Sequence, residues 1–147
     1  MNPGDVFRWA NFPYPQFGRE IKARWFIYLG QTTPFIQPII AHISTTTTVK
    51  ADFETEGRKE THKYFRFEKG KYPFEQECYL DFDEEPYAFP KKELESNPDI
   101  EYKATLDHRT LRAIYEGIYR SNYYPRQVKM DIRESFNQIG ITSLKKI

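Results

Sequence analysis

The chain has 147 residues, enough for one domain with its own core. Its 22 Lys and Arg against 21 Asp and Glu leave a formal charge of +1, which excludes nucleic-acid binding by bulk attraction and confines any such role to a local patch. The single cysteine, Cys78, excludes an internal disulfide framework, and no apolar run approaches the length of a membrane span. Met1 is not followed by a basic start and an apolar run, so no secretory leader is expected and the cytoplasm is the default location.

Val6 to Phe12 reads as a first strand, ended by Pro13 and Pro15, whose ring nitrogens cannot donate to a ladder. The loop Pro13–Lys22 is rich in Pro, Gly and charge. Arg24 to Leu29 reads as a second strand, stopped by Gly30. Residues 35–43 read as a third strand, with Pro38 marking an edge or a bulge, and the run Ser44–Thr48 either continues it or bends. Residues 50–63 carry charges of both signs around Glu56-Gly57 and read as a solvated hairpin or loop. Tyr64–Phe67, Phe74–Phe82 and Tyr87–Phe89 complete the strand pattern. Cys78 falls inside it and reads as a buried thiol, while Asp81–Glu85 reads as a solvated strand end.

The pattern changes after Pro90. Lys91–Glu95 reads as a short helix stopped by Asn97-Pro98, and Tyr102–Leu106 as a strand or a linker. Asp107 is placed to cap a helix whose Leu111, Ile114, Tyr115, Ile118 and Tyr119 follow the rhythm of one buried face. Pro125 suits the first turn of a last helix, with Val128, Ile132, Phe136 and Ile139 on one face and Gly140 as its stop. Strands first and helices last predict a mainly β, α+β fold: a small, strongly bent barrel or sheet with helices packed on it.

Several pieces, in order, resemble the MazF/PemK family of toxin endoribonucleases: Gly4-Asp5-Val6, Asn11-Phe12-Pro13-Tyr14, the loop end Gly18-Arg19-Glu20-Ile21-Lys22-Ala23-Arg24, Ala41-His42-Ile43-Ser44-Thr45, and Tyr72-Pro73-Phe74-Glu75. The similarity covers roughly residues 4–90. It implies an SH3-like β-barrel over that span with a helical C-terminal extension over 91–147, in a single domain. It also implies a homodimer, cleavage of single-stranded RNA without a metal, and an antitoxin protein that blocks the RNA groove. Three features depart from the family pattern: Trp25 stands where a Pro follows the loop Arg, segment 50–63 is long, and the chain runs on well past residue 90.

RNA is cleaved without a metal when its own 2′-OH attacks the adjacent phosphate, which requires a proton acceptor, stabilisation of the phosphorane and protonation of the leaving oxygen. Arg24 is the first choice for the phosphorane, because planar guanidinium donors match phosphate oxygens in pairs. Glu20, four residues earlier, serves either as general base or as an ion-pair partner of Arg24 or Lys22. Ser44, Thr45 and Thr46 either donate to a phosphate and place the 2′-OH or simply fill strand positions. Arg19 and Lys22 are set to touch flanking phosphates, and Trp25 joins the RNA-contacting group. His42 shares a strand face with Ser44 and is either a proton carrier or a structural histidine. His62 and His108 read as solvated, and no cofactor or metal site is expected. The alternative function is a non-catalytic RNA- or protein-binding module on the same barrel.

Overall fold

The computed structural model describes residues 1–13, 23–48 and 63–147. Segments 14–22 and 49–62, which hold the predicted Arg19, Glu20, Lys22 and His62, lie outside the described residues.

Among the described residues, seven strands form one antiparallel sheet: β1 (Asp5–Trp9), β2 (Arg24–Gln31), β3 (Ile40–Thr48), β4 (Tyr64–Phe67), β5 (Cys78–Asp81), β6 (Tyr87–Pro90) and β7 (Ile100–Thr105). Their order is β4-β5-β3-β2-β1-β7, with β6 also on β3. β3 is the hub. One edge pairs with β2; the other pairs with β6 over Ile40–Ile43 and with β5 over Thr46–Thr48. Among the described residues no pairing joins β4 to β7, so the sheet is open rather than the closed barrel expected. The mainly β, α+β class is as the sequence predicts.

The third strand departs most from its prediction. It begins at Ile40, two residues after Pro38, and runs through the threonines. Pro38 follows a cis peptide bond in the β2–β3 connection, where the missing N–H costs the ladder nothing. Residues 91–147 supply α1 (Lys91–Ser96), α2 (His108–Arg120) and α3 (Arg126–Gln138), and also β7, which extends the sheet beyond β1. Asp5 ties the two strands together: its Oδ1 accepts from Thr105 Oγ1 at 2.7 Å, and its Oδ2 from Asn2 N at 2.8 Å.

Alternation gives the sheet two apolar faces. Val6, Ile27 and Leu29 pack under Leu111, Ile114 and Ile118 of α2 and Ile132 and Phe136 of α3. Phe7, Trp9, Phe26, Tyr28, Ala41 and Ile43 point the other way, against Phe12, Phe89 and Leu94. Leu111, Ile114, Tyr115 and Ile118 of the predicted α2 face are all buried. The Asp107 side chain accepts from Thr110 N at 2.7 Å, as an N-cap does. Gly140, at φ +92°, ends α3 in the left-handed region, and Ile141 N returns to Phe136 O at 3.0 Å. Gly30 and Gly117 mark close approaches between sheet and helix and between helix and loop. A Cβ on Gly30 would stand 3.1 Å from Ile132 Cα, and one on Gly117 only 2.1 Å from the Phe82 ring.

Candidate functional site

Adjacent strands bring a row of unlike side chains together on one face. Arg8 of β1 pairs with Trp25 of β2 on one side and with Glu101 of β7 on the other. One register step beyond the pair Phe26–Thr45 sets Trp25 beside Thr46 of β3. At this end of the face the helices do not cover the sheet, and a groove of about 280 Å³ opens. Arg8, Trp25, Thr46, Thr48, Glu75 and Gln76 line it. Ala23, Phe74 and Cys78 complete the lining, with the Phe74 ring 5.7 Å from that of Trp25.

Charge surrounds the indole. Lys103 Nζ of β7 sits 5.5 Å from the Trp25 ring centre, within cation–π range, and is held at 3.1 Å by Glu101 Oε1. The groove thus combines an aromatic surface, a guanidinium, two hydroxyls, an amide and a carboxylate. Cys78 contributes no nucleophile. Burial pushes its thiol up to about 12, against a smaller opposing effect of the hydrogen bond with Thr46.

The predicted site residues divide between the two faces of the sheet. Trp25 and Thr46 line the groove. Arg24 pairs with Trp9 across β1–β2, so alternation sets it with Trp9 and Phe26, on the face opposite the groove. Thr45 is on that opposite face too, across from Phe26, and its hydroxyl donates to the Trp25 carbonyl at 3.2 Å.

His42 and Ser44 share the groove's face but lie under the helical layer. His42, 4% exposed, donates through Nε2 to Asp131 Oδ2 of α3 at 2.9 Å. Asp131 Oδ1 accepts in turn from Gln127 Nε2 at 3.1 Å. His42 Nδ1 is buried without a hydrogen-bond partner among the described residues. The Ser44 hydroxyl accepts from Tyr124 at 3.2 Å, a phenol that burial raises well above its usual range. These contacts fasten α3 and its approach to β3, and they place His42 in the interior rather than in the groove.

Arg8 and Glu75 of the groove lining, and Lys103 over the Trp25 ring, are residues that sequence reasoning did not name for the site. Arg8 looks like any solvent-side residue of a first strand; only the register beside Trp25 gives it a neighbour of interest. The Tyr72-Pro73-Phe74-Glu75 element did carry a signal, since it stands among the motifs of the resemblance and two of its residues line the groove. No group of three or more metal-ligating side chains occurs among the described residues. No described helix is long and apolar enough to cross a membrane. Comparison with protein-family models, curated proteins and solved structures returned no match.

Proposed function

We propose that this protein is a MazF/PemK-like endoribonuclease that binds single-stranded RNA along the Arg8–Trp25–Thr46 groove and cleaves it without a metal. The observation that carries this reading is the convergence, in one open groove, of a guanidinium (Arg8), a carboxylate (Glu75) and hydroxyls (Thr46, Thr48) beside an indole. The RNA 2′-oxygen attacks the adjacent phosphorus, the bond from phosphorus to the 5′-oxygen breaks, and a 2′,3′-cyclic phosphate and a 5′-hydroxyl result. A carboxylate suits removal of the 2′ proton, a guanidinium suits the charge that builds on the phosphorane, and water supplies the proton that the leaving 5′-oxygen takes up. In this reading Arg8 takes the place that the sequence alone gave to Arg24. The test is incubation with mixed-sequence single-stranded RNA. New cyclic-phosphate ends support the enzyme; intact RNA at every concentration rejects it.

A second reading, a non-catalytic RNA-binding module, draws support from the covered imidazole of His42 and from the position of Arg24 on the other face. It is favoured by RNA binding without new ends. The proposal includes the SH3-like barrel as the architecture from which the open sheet derives, a cytoplasmic location, a homodimer, and an antitoxin that competes for the groove. Phe35 and Ile36, 93% and 64% exposed at the tip of the β2–β3 connection, support an apolar contact with another chain. Changing both to Ser is expected to halve the mass measured by light scattering.

A further inference from the structure

We infer that the groove is a mononucleotide subsite: one base of the strand packs against Trp25, and its phosphate lies between Arg8 and Lys103. The inference rests on the RNA-binding reading and names the part of the ligand that the groove holds.

Size limits the occupant. About 280 Å³ lies at the lower end of small-molecule clefts, which run from roughly 300 to 1,000 Å³. A ligand the size of one nucleotide suits that volume, and a longer stretch of strand exceeds it.

Composition selects the chemistry. Trp25 offers a π surface, and flat heteroaromatic rings pack on such surfaces with little regard to sequence. Thr48 and Gln76, on the same lining, offer donors and acceptors to a base edge. Arg8 neighbours Trp25 across the β1–β2 ladder and lines the groove, and Lys103 Nζ of β7 lies over the indole ring, so two cations belong to the surroundings of Trp25. A planar base joined to an anion matches this layout; a neutral aromatic leaves the Arg8 guanidinium unused, and a bare phosphate leaves the indole unused. Glu101 holds Lys103 in place and pairs across the ladder with Arg8, so the two cations share one carboxylate neighbour. Lys103 comes from the segment beyond residue 90, which makes that segment part of the subsite.

Tryptophan emission reads the test directly. Trp9 is 2% exposed in the opposite core, whereas Trp25 stands at the groove. The full-length protein is titrated with each of the four ribonucleoside 5′-monophosphates, with the four nucleosides, with ribose 5-phosphate and with inorganic phosphate. At least one nucleotide is expected to quench emission and to bind about tenfold tighter than its nucleoside, the usual scale of one charge-assisted contact. Neither ribose 5-phosphate nor inorganic phosphate should quench. Arg8→Met, which keeps the aliphatic stem, should erase the preference for nucleotide over nucleoside. Lys103→Gln, at a partly exposed position, should reduce it several-fold and serves if Arg8→Met fails to fold. Equal binding of nucleotide and nucleoside, or a preference that survives both substitutions, overturns the inference. If labelled single-stranded RNA binds while no nucleotide quenches, the subsite falls and the RNA reading stands. If neither binds, both fall.

Discussion

His42 and Ser44 stand on the same face of the same strand as Thr46 and Thr48, and the two pairs have opposite fates. The first is roofed by α3 and Tyr124, and each of its side chains has a partner across the roof. The second lies past the end of that roof and lines open space. Polarity and alternation are equal in the two halves, so neither decides which one meets a ligand. What decides is where α3 ends its run along β2 and β3, and that is set by contacts made about a hundred residues later in the chain, such as Gln31 N to Ser135 Oγ at 3.0 Å.

The roof is tested most severely at Gly30. A methyl group there would meet Ser135 Oγ at 2.8 Å and Ile132 Cα at 3.1 Å, and the second of these is backbone that cannot swing aside. Gly30→Ala is expected to cost about 2–3 kcal/mol by overpacking, read from the midpoint of urea unfolding. A neutral result would mean that α3 does not press on β2, and the distinction between the halves would lose its cause. Gly117→Ala sets the same clash against helix propensity. Alanine gains up to about 1 kcal/mol in a helix interior, but the new Cβ would lie 2.1 Å from the buried Phe82 ring. The clash wins, and net destabilisation is expected.

Next in size is the pair that fastens the roof. Asp131→Ala leaves His42 Nε2 buried without its acceptor, at an expected cost of about 2 kcal/mol. RNA binding by the folded fraction should be unchanged. The open half should behave the other way: Arg8→Met is expected to lower RNA affinity about tenfold with little change in stability. Arg24→Ala compares the two faces. If Arg24→Ala abolishes cleavage while Arg8→Met spares it, the reactive phosphate lies on the face of Trp9 and Phe26, and the groove is not the site.

The sequence revealed elements wherever a local rule was sufficient. The α2 face, the Asp107 cap and the Gly140 stop all follow from residues within a turn or two of one another. β3 begins later than its apolar pattern suggests, because Pro38 lies in the connection before it and because threonine favours a strand without fixing where the strand begins. The candidate site was legible only in part, for a related reason. Trp25 and Thr46 were named, and both line the groove; Arg8 and Lys103 gain their meaning from cross-strand register, which nothing near them in the chain encodes. Asp81 is a smaller case. It was read as part of a solvated strand end, yet it is 3% exposed and its Oδ1 accepts from Asp83 N at 2.8 Å, a turn contact that draws the carboxylate inward.

The smallest expected effect concerns pH and again separates covered groups from open ones. Cys78, Tyr28 and Tyr124 all have their ionisations raised by burial, so each remains protonated in the folded chain at a pH where the unfolded chain has begun to lose the proton. Their contribution is therefore complete below the unfolded values of 9.0 for the thiol and 10.0 for the phenols, and it is lost as pH rises above them. Between pH 9 and 10 the thiol contributes more than either phenol, since its unfolded value is the lowest of the three. It should remove about 1 kcal/mol of stability by the top of it. Cys78→Ala deletes the ionising group without adding bulk, so its unfolding free energy should fall less steeply across that interval than that of the parent. Equal slopes would mean that the Cys78 thiol ionises as readily in the folded chain as in the unfolded one, and that the groove floor it helps to form is wet.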